Sequence, residues 1–105
     1  MKKIYLLIIP ALLSSTVFAQ SIGKISGSIT SADKKAIEAV TVSLLKAKDS
    51  SLLKMEITDK NGLYEFEHVS NGSYLLKADA VGFEKSYTAI VVSDDKKLVN
   101  AHFVM

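Results

Sequence analysis

TDKNGLYEFEHVSNGSY, residues 58–74, joins two turn signatures to a run of alternating apolar and polar side chains. Asn61-Gly62 and Asn71-Gly72 tolerate positive φ and mark turns, while Tyr64 and Phe66 flank Glu65 at the two-residue period of a strand. Thr58 ends one strand, the Asp59 carboxylate accepts hydrogen bonds from nearby amides, and Leu63 starts the return strand. The segment therefore reads as a hairpin turn, a strand and a second turn. A calcium loop would place oxygen ligands at alternate positions with a bidentate carboxylate further on. Here Asp59 and Asn61 run straight into Gly62-Leu63-Tyr64, so no metal site is expected. Asn71-Gly72-Ser73 fits a glycosylation sequon, but its turn role already accounts for it.

The same period extends in both directions. Ile25, Gly27 and Ile29 alternate with Lys24, Ser26 and Ser28; Val40, Val42 and Leu44 with Thr41 and Ser43; Leu53, Met55 and Ile57 with Lys54 and Glu56. Tyr74, Leu76, Ala78 and Ala80 follow the second turn, and Ser86–Val92 and Lys97–Met105 complete the set. Each reads as a half-buried strand. In the last run Val99, Ala101, Phe103 and Met105 are expected on the core face. Ala36–Lys48 is the one helix candidate, but its β-branched, period-two centre favours a strand. Turn residues punctuate these runs at 31–35, 48–51, 59–62, 70–72, 81–82 and 93–96. Seven short strands so spaced predict an all-β fold, a seven-stranded antiparallel Greek-key β-sandwich.

Residues 1–19 stand outside this pattern. Lys2 and Lys3, an apolar run over 4–13 and small residues leading to Ala19 make a secretory signal peptide, with cleavage between Ala19 and Gln20. The rival reading, a retained membrane anchor, is disfavoured because Pro10 and Ser14-Ser15 interrupt an apolar run already short for a span of about 20 residues; the domain is then expected to cover residues 20–105 and the protein to be exported. There is no cysteine, which removes disulfides, thiolate metal sites and a Cys nucleophile. Without Lys2 and Lys3 the remaining eleven basic residues balance eleven acidic ones, and every basic residue is Lys. A neutral chain with no guanidinium fork is poorly equipped to read nucleic acid, so no nucleic-acid partner is expected.

Candidate chemistry is sparse. His68 and His102 are the only histidines, and neither sits in a nucleophile elbow, a zinc spacing or a phosphate loop. Glu65 and Glu67 share one strand face as a solvated pair. Tyr64, Phe66, Tyr74, Phe83 and Tyr87 are expected to fill the core rather than form a sugar platform. No catalytic, cofactor or metal residue is predicted.

Three blocks resemble a known family: Thr58-Asp59-x-x-Gly62-x-Tyr64-x-Phe66, Gly72-x-Tyr74-x-Leu76 and Val81-Gly82-Phe83. Over residues 23–85 the chain looks like the carboxypeptidase regulatory-like domain, also described as transthyretin-like or carbohydrate-binding-like. Such domains precede many TonB-dependent outer-membrane β-barrel receptors of Bacteroidetes-like bacteria. The resemblance implies a transthyretin-like sandwich without chemistry of its own. It implies an accessory role in the periplasm or at the outer membrane of a Gram-negative bacterium, with a receptor barrel or another envelope protein as partner. A stand-alone module that binds a ligand, carbohydrate included, is the alternative. Where the family has Pro-Leu-x-Gly-Ala this chain has Ala36-Ile37-Glu38-Ala39-Val40, so a differently bent turn is expected there. The related hydrolases rely on His and Arg, and this chain has no Arg. A Lys–Asn cross-link between Lys24 and Asn100 would need a helper carboxylate near Ala78, where none stands.

Overall fold

The computed structural model describes residues 22–105; the expected signal peptide and its expected cleavage point between Ala19 and Gln20 lie outside the described residues. The strands are β1 (Ile22–Thr30), β2 (Thr41–Lys46), β3 (Leu52–Ile57), β4 (Leu63–Ser70), β5 (Gly72–Asp79), β6 (Ser86–Val92) and β7 (Leu98–Val104). They form two sheets, ordered β4-β1-β7 and β3-β2-β5-β6. The seven-stranded sandwich is as the alternation predicts, and four of its strand pairings are antiparallel. The departure is β1 against β7, which run parallel from Lys24 opposite Leu98 to Thr30 opposite Val104. The crossing from β6 delivers the chain to the end of the sandwich where β1 also begins, as the Lys24 N–H to Lys97 carbonyl bond (2.7 Å) shows.

The core lies between the sheets. Ile25, Ile29, Tyr64, Phe66, Ala101 and Phe103 from one sheet meet Val42, Leu44, Tyr74, Leu76, Ala78, Ile90 and Val92 from the other. Val99 and Met105 pack against its margin, so the predicted inward face of β7 is the observed one. Burying one such large side chain is worth roughly 1.5–3 kcal/mol, against about 1 kcal/mol net for a neutral hydrogen bond. Apolar burial therefore drives collapse, and the polar contacts select which sandwich forms.

β3 corrects the sequence reading. The strand is where the alternation puts it, but its phase is reversed: all six residues are exposed. Met55 pairs with Ser43 and Ile57 with Thr41, whereas Lys54 and Glu56 oppose the core residues Leu44 and Val42. The apolar set thus faces outward and the charged set inward. β3 is an end strand, so its inward side looks past the core toward the neighbouring edge of the other sheet. There Lys54 Nζ donates to the Glu67 carbonyl at 2.6 Å. Two aromatics also depart from expectation: Phe83 and Tyr87 are exposed rather than core, Phe83 because it sits in the turn after Gly82 and Tyr87 because β6 turns it outward.

Tyr64 joins all three strands of the smaller sheet. From β4 its ring passes under β1 at Gly27, and its hydroxyl donates to the Ala101 carbonyl of β7 at 2.6 Å. A Cβ on Gly27 would overlap the Ala101 carbonyl oxygen and approach the Tyr64 hydroxyl to 2.6 Å. Glycine is the residue that leaves this passage open. Burial pushes the Tyr64 phenol well above its ordinary value, and desolvation raises Tyr74 in the same direction.

A folded-state phenol held above its unfolded value of about 10 contributes stability that is fully present below that pH and is lost as pH rises beyond it. Urea denaturation of the Tyr64→Phe variant should show a loss of about 1–2 kcal/mol at neutral pH from the orphaned carbonyl. It should also show a shallower decline than the parent above pH 10; an identical alkaline slope would mean that Tyr64 does not carry the effect.

Candidate functional site

The residues of the Thr58–Tyr74 stretch were weighed as a site, and the structure shows what each one holds. β3 and β4 belong to different sheets, so Asp59–Gly62 is not the hairpin turn expected but a corner that carries the chain across the sandwich. The short-range bonding is hairpin-like all the same: Asp59 N–H donates to the Leu63 carbonyl at 3.1 Å and Gly62 N–H to the Asp59 carbonyl at 2.9 Å. Asp59 Oδ1 accepts from the amides of Asn61 (2.8 Å) and Leu63 (3.0 Å). Gly62 has φ 73°, and a Cβ there would come within 2.6 Å of the Ile29 carbonyl. The carboxylate oxygen that a cation would need is thus already aimed at backbone amides.

Thr58 has a role that the sequence reading missed. It is buried; its hydroxyl donates to the Ile37 carbonyl and accepts from Val40 N–H, both at 2.9 Å. Backbone bonds between residues 58 and 40 and between 39 and 58 reinforce the latch. It clamps the loop that departs from the family pattern. The residue in that loop standing where the family has Gly is Ala39, and its φ is 63°, a left-handed conformation that a Cβ disfavours by roughly 1–2 kcal/mol. The turn keeps the shape a glycine would give it, and the latch holds it there. At the next corner Tyr74 Oη donates to the Ser70 carbonyl at 2.6 Å, and Asn71 Nδ2 donates to Asp94 Oδ1 at 2.9 Å.

His68 lies at a bulge in β4, where the pairing with β1 slips and His68 itself has φ 57°. Its carbonyl receives Lys54 at 3.4 Å, so the residue shapes an edge. His102 stands on the outer face of the three-stranded sheet. Nδ1 lies 2.7 Å from Ser28 Oγ and Nε2 lies 3.3 Å from Thr30 Oγ1. A base that activates a serine needs its second nitrogen oriented by another group, ordinarily a carboxylate. Here both ring nitrogens meet exposed hydroxyls, which is a surface hydrogen-bond row. Lys24 does not approach Asn100 in register, since Asn100 pairs with Ser26. Its ammonium instead meets Glu65 at 3.1 Å in the open. Ala78 is buried in the other sheet, so the elements of a cross-link are not assembled.

What the fold does present is the outer face of the four-stranded sheet. The reversed phase of β3 places Leu52, Met55 and Ile57 there, and β6 adds Tyr87 and Val91, all at least half exposed. Leu52, Met55 and Tyr87 border a shallow groove of about 530 Å³ floored by Ser43 and Leu45, with Lys77 and Asp79 along it. Exposed apolar side chains gathered on one face are the signature of a contact surface more than of a reaction centre. The alternation in the sequence contained this face, read on the wrong side of the strand.

The family model for the carboxypeptidase regulatory-like domain matches residues 24–105. Serine-aspartate repeat-containing protein I of Staphylococcus saprophyticus is 40% identical over 57 residues, which is 54% of this chain and 3% of that protein. Among solved structures, the major pilin subunit BcpA of Bacillus cereus superposes with a TM-score of 0.65 at 13% identity, over 79% of this chain and 29% of the pilin. The 5-hydroxyisourate hydrolase of Klebsiella pneumoniae gives 0.60 at 18% identity, over 79% of this chain and 84% of the enzyme. The chain thus spans a small fraction of the repeat protein and of the pilin. At these identities the structural likeness establishes a shared sandwich and no shared activity.

Two outcomes check the corner. Ala39→Gly should raise unfolding stability by about 1 kcal/mol, measured by urea titration; a loss would mean the Ala39 methyl contributes more by packing than its backbone costs. Asp59→Ala should lower stability by about 0.5–1.5 kcal/mol through the two amide bonds it removes at this exposed corner, and millimolar calcium should leave the melting midpoint of the parent unchanged.

Proposed function

This chain belongs to the carboxypeptidase regulatory-like domain family, and from that membership we propose that it is an exported, non-enzymatic accessory domain of a bacterial envelope, acting by contact with protein. One observation carries the reading. The polar side chains of the first two family blocks are committed to architecture: Thr58 to the loop before β2, Asp59 to its own corner, Tyr64 to Ala101 and Tyr74 to Ser70. The third block adds only the apolar Val81 and Phe83, exposed at a turn. Around that frame the surface offers an apolar sheet face.

The finer setting we propose is the periplasmic side of an outer membrane, beside a TonB-dependent receptor. It rests on the family resemblance and on the Lys2-Lys3, apolar and Ala19-Gln20 layout of the first residues. A sugar-binding role has less to stand on. Of the aromatics weighed for a platform, Tyr87 alone lies on the apolar face, with Phe83 displaced into a turn, whereas stacking on a sugar draws on rigid aromatic surface.

The full chain expressed in a Gram-negative host should be recovered from the periplasm with an intact mass that begins at Gln20. Recovery from the cytoplasm with the leader still attached would overturn the export reading. Chemical cross-linking in the source bacterium, with mass spectrometry of the adducts, should join the domain to an envelope protein through lysines bordering the apolar face, such as Lys77. Adducts confined to cytoplasmic proteins would defeat it.

A further inference from the structure

A sandwich with two open sheets has four end strands, and here they are guarded unequally. β3 and β4, on one side, carry Lys54, Glu56, Glu65 and Glu67, and the bulge at His68 is sealed by Lys54. Inward charges and bulges are the standard means of stopping one sheet edge from pairing with another. β6 (SYTAIVV) and β7 (LVNAHFV), on the other side, contain no charged residue at all. Of these two, β7 has the features of a strand built to meet itself.

Lys97 gives its carbonyl and Met105 its amide to β1. With the unbroken register between them, the alternation of a β-strand turns the backbone groups of Leu98, Asn100, His102 and Val104 away from β1. Among the described residues β7 is the last strand of its sheet, so these groups face outward as a free ladder. An antiparallel copy centred on Ala101 places Leu98 opposite Val104 and Asn100 opposite His102, with the reciprocal pairs on the other side of the axis. All four residues point to the outer face, and Leu98 and Val104 are 78% and 59% exposed. Aliphatic meets aliphatic, and amide meets imidazole. β6 has acidic residues beyond both its ends, Glu84 and Asp94, which an antiparallel copy would bring toward one another. β7 is not flanked in that way.

We propose that the free edge of β7 pairs with β7 of a second copy, antiparallel about Ala101, making one six-stranded sheet across an isologous dimer. Such an interface is closed, so it covers the β7 edge of each copy and does not itself propagate into a fibre. The inference stands apart from the proposed envelope role, which a monomeric domain would leave intact.

Sedimentation equilibrium of the purified protein should show a reversible monomer–dimer equilibrium. Asn100→Lys combined with His102→Lys places two lysine pairs across the axis and should raise the dissociation constant by about tenfold or more. Asn100→Glu combined with His102→Lys instead sets Glu against Lys at both places and should restore association. Unchanged melting midpoints would show that both double variants fold. Deuterium exchange on the parent gives a readout without mutation: amides of Leu98, Asn100, His102 and Val104 should gain protection as concentration rises. A protein that stays monomeric at all concentrations, or a dimer indifferent to the paired lysines and lacking that protection, would overturn the proposal.

Discussion

The smaller sheet depends on one hydrogen bond made in a space only glycine leaves open. Tyr64 starts on β4, crosses β1 where Gly27 has no side chain, and ends on the Ala101 carbonyl of β7. The sheet's strand order follows from it, because β4 and β7 do not touch as neighbours and β1 lies between them. The ring supplies core surface as well, edge-on to Phe66 and tilted against Phe103. Apolar burial alone would tolerate many ways of stacking seven amphipathic strands. A buried hydroxyl that must find an acceptor tolerates few, since leaving it unpaired costs about 1–3 kcal/mol.

The corners extend that logic to the connections. Of the six links between strands, only β2–β3 and β5–β6 stay within a sheet; the rest cross. A crossing lacks the ladder that fixes a hairpin, so side chains take over: Asp59 organises one corner, Tyr74 the next, and Thr58 ties the loop before β2 to the end of β3. These are the residues by which the family is recognised in sequence. A motif made of corner pieces marks a frame, and frames of this shape carry pilins and hydrolases alike. Function must then be sought on the surface, where the motif is silent.

The sequence disclosed strands more readily than faces. Period two located all seven, because β-branched and aromatic residues interrupted by Asn, Gly and Asp leave little room for helix. For the central strands β1, β2 and β5 the apolar set had to point inward, and it does there and in the end strands β4 and β7 as well. At an end strand that inference fails, since the core stops short and either face can be wet. Leu53, Met55 and Ile57 were assigned inward for want of the information that β3 has a neighbour on one side only. Gly27 hid in the same way, as one more small residue in an alternating run. Its necessity comes from Tyr64 and Ala101, 37 positions apart from each other. The parallel pairing of β1 and β7 was equally illegible, because strand direction is set by the path between strands and leaves no mark within them. Of the surface features, the apolar face was present in the pattern, whereas the His102 row with Ser28 and Thr30 exists only once β1 and β7 lie side by side.

The unequal treatment of the four end strands bears on what kind of molecule this is. Charge on an inward-facing edge position reduces apolar contact, so a chain retains it where an exposed edge would otherwise recruit strands at random. β3 bears that charge inward, in Lys54 and Glu56, and β4 carries Glu65 and Glu67 on its outer face, while β6 and β7 on the opposite flank bear no charge at all. The composition offers no excuse for the difference, since lysines stand just outside both uncharged strands at Lys85, Lys96 and Lys97. Charge is thus kept to the ends of these strands and out of their middles. A flank left bare in this manner gains protection when something sits against it, and the edge strands β6 and β7 are where this sandwich leaves room for such a contact.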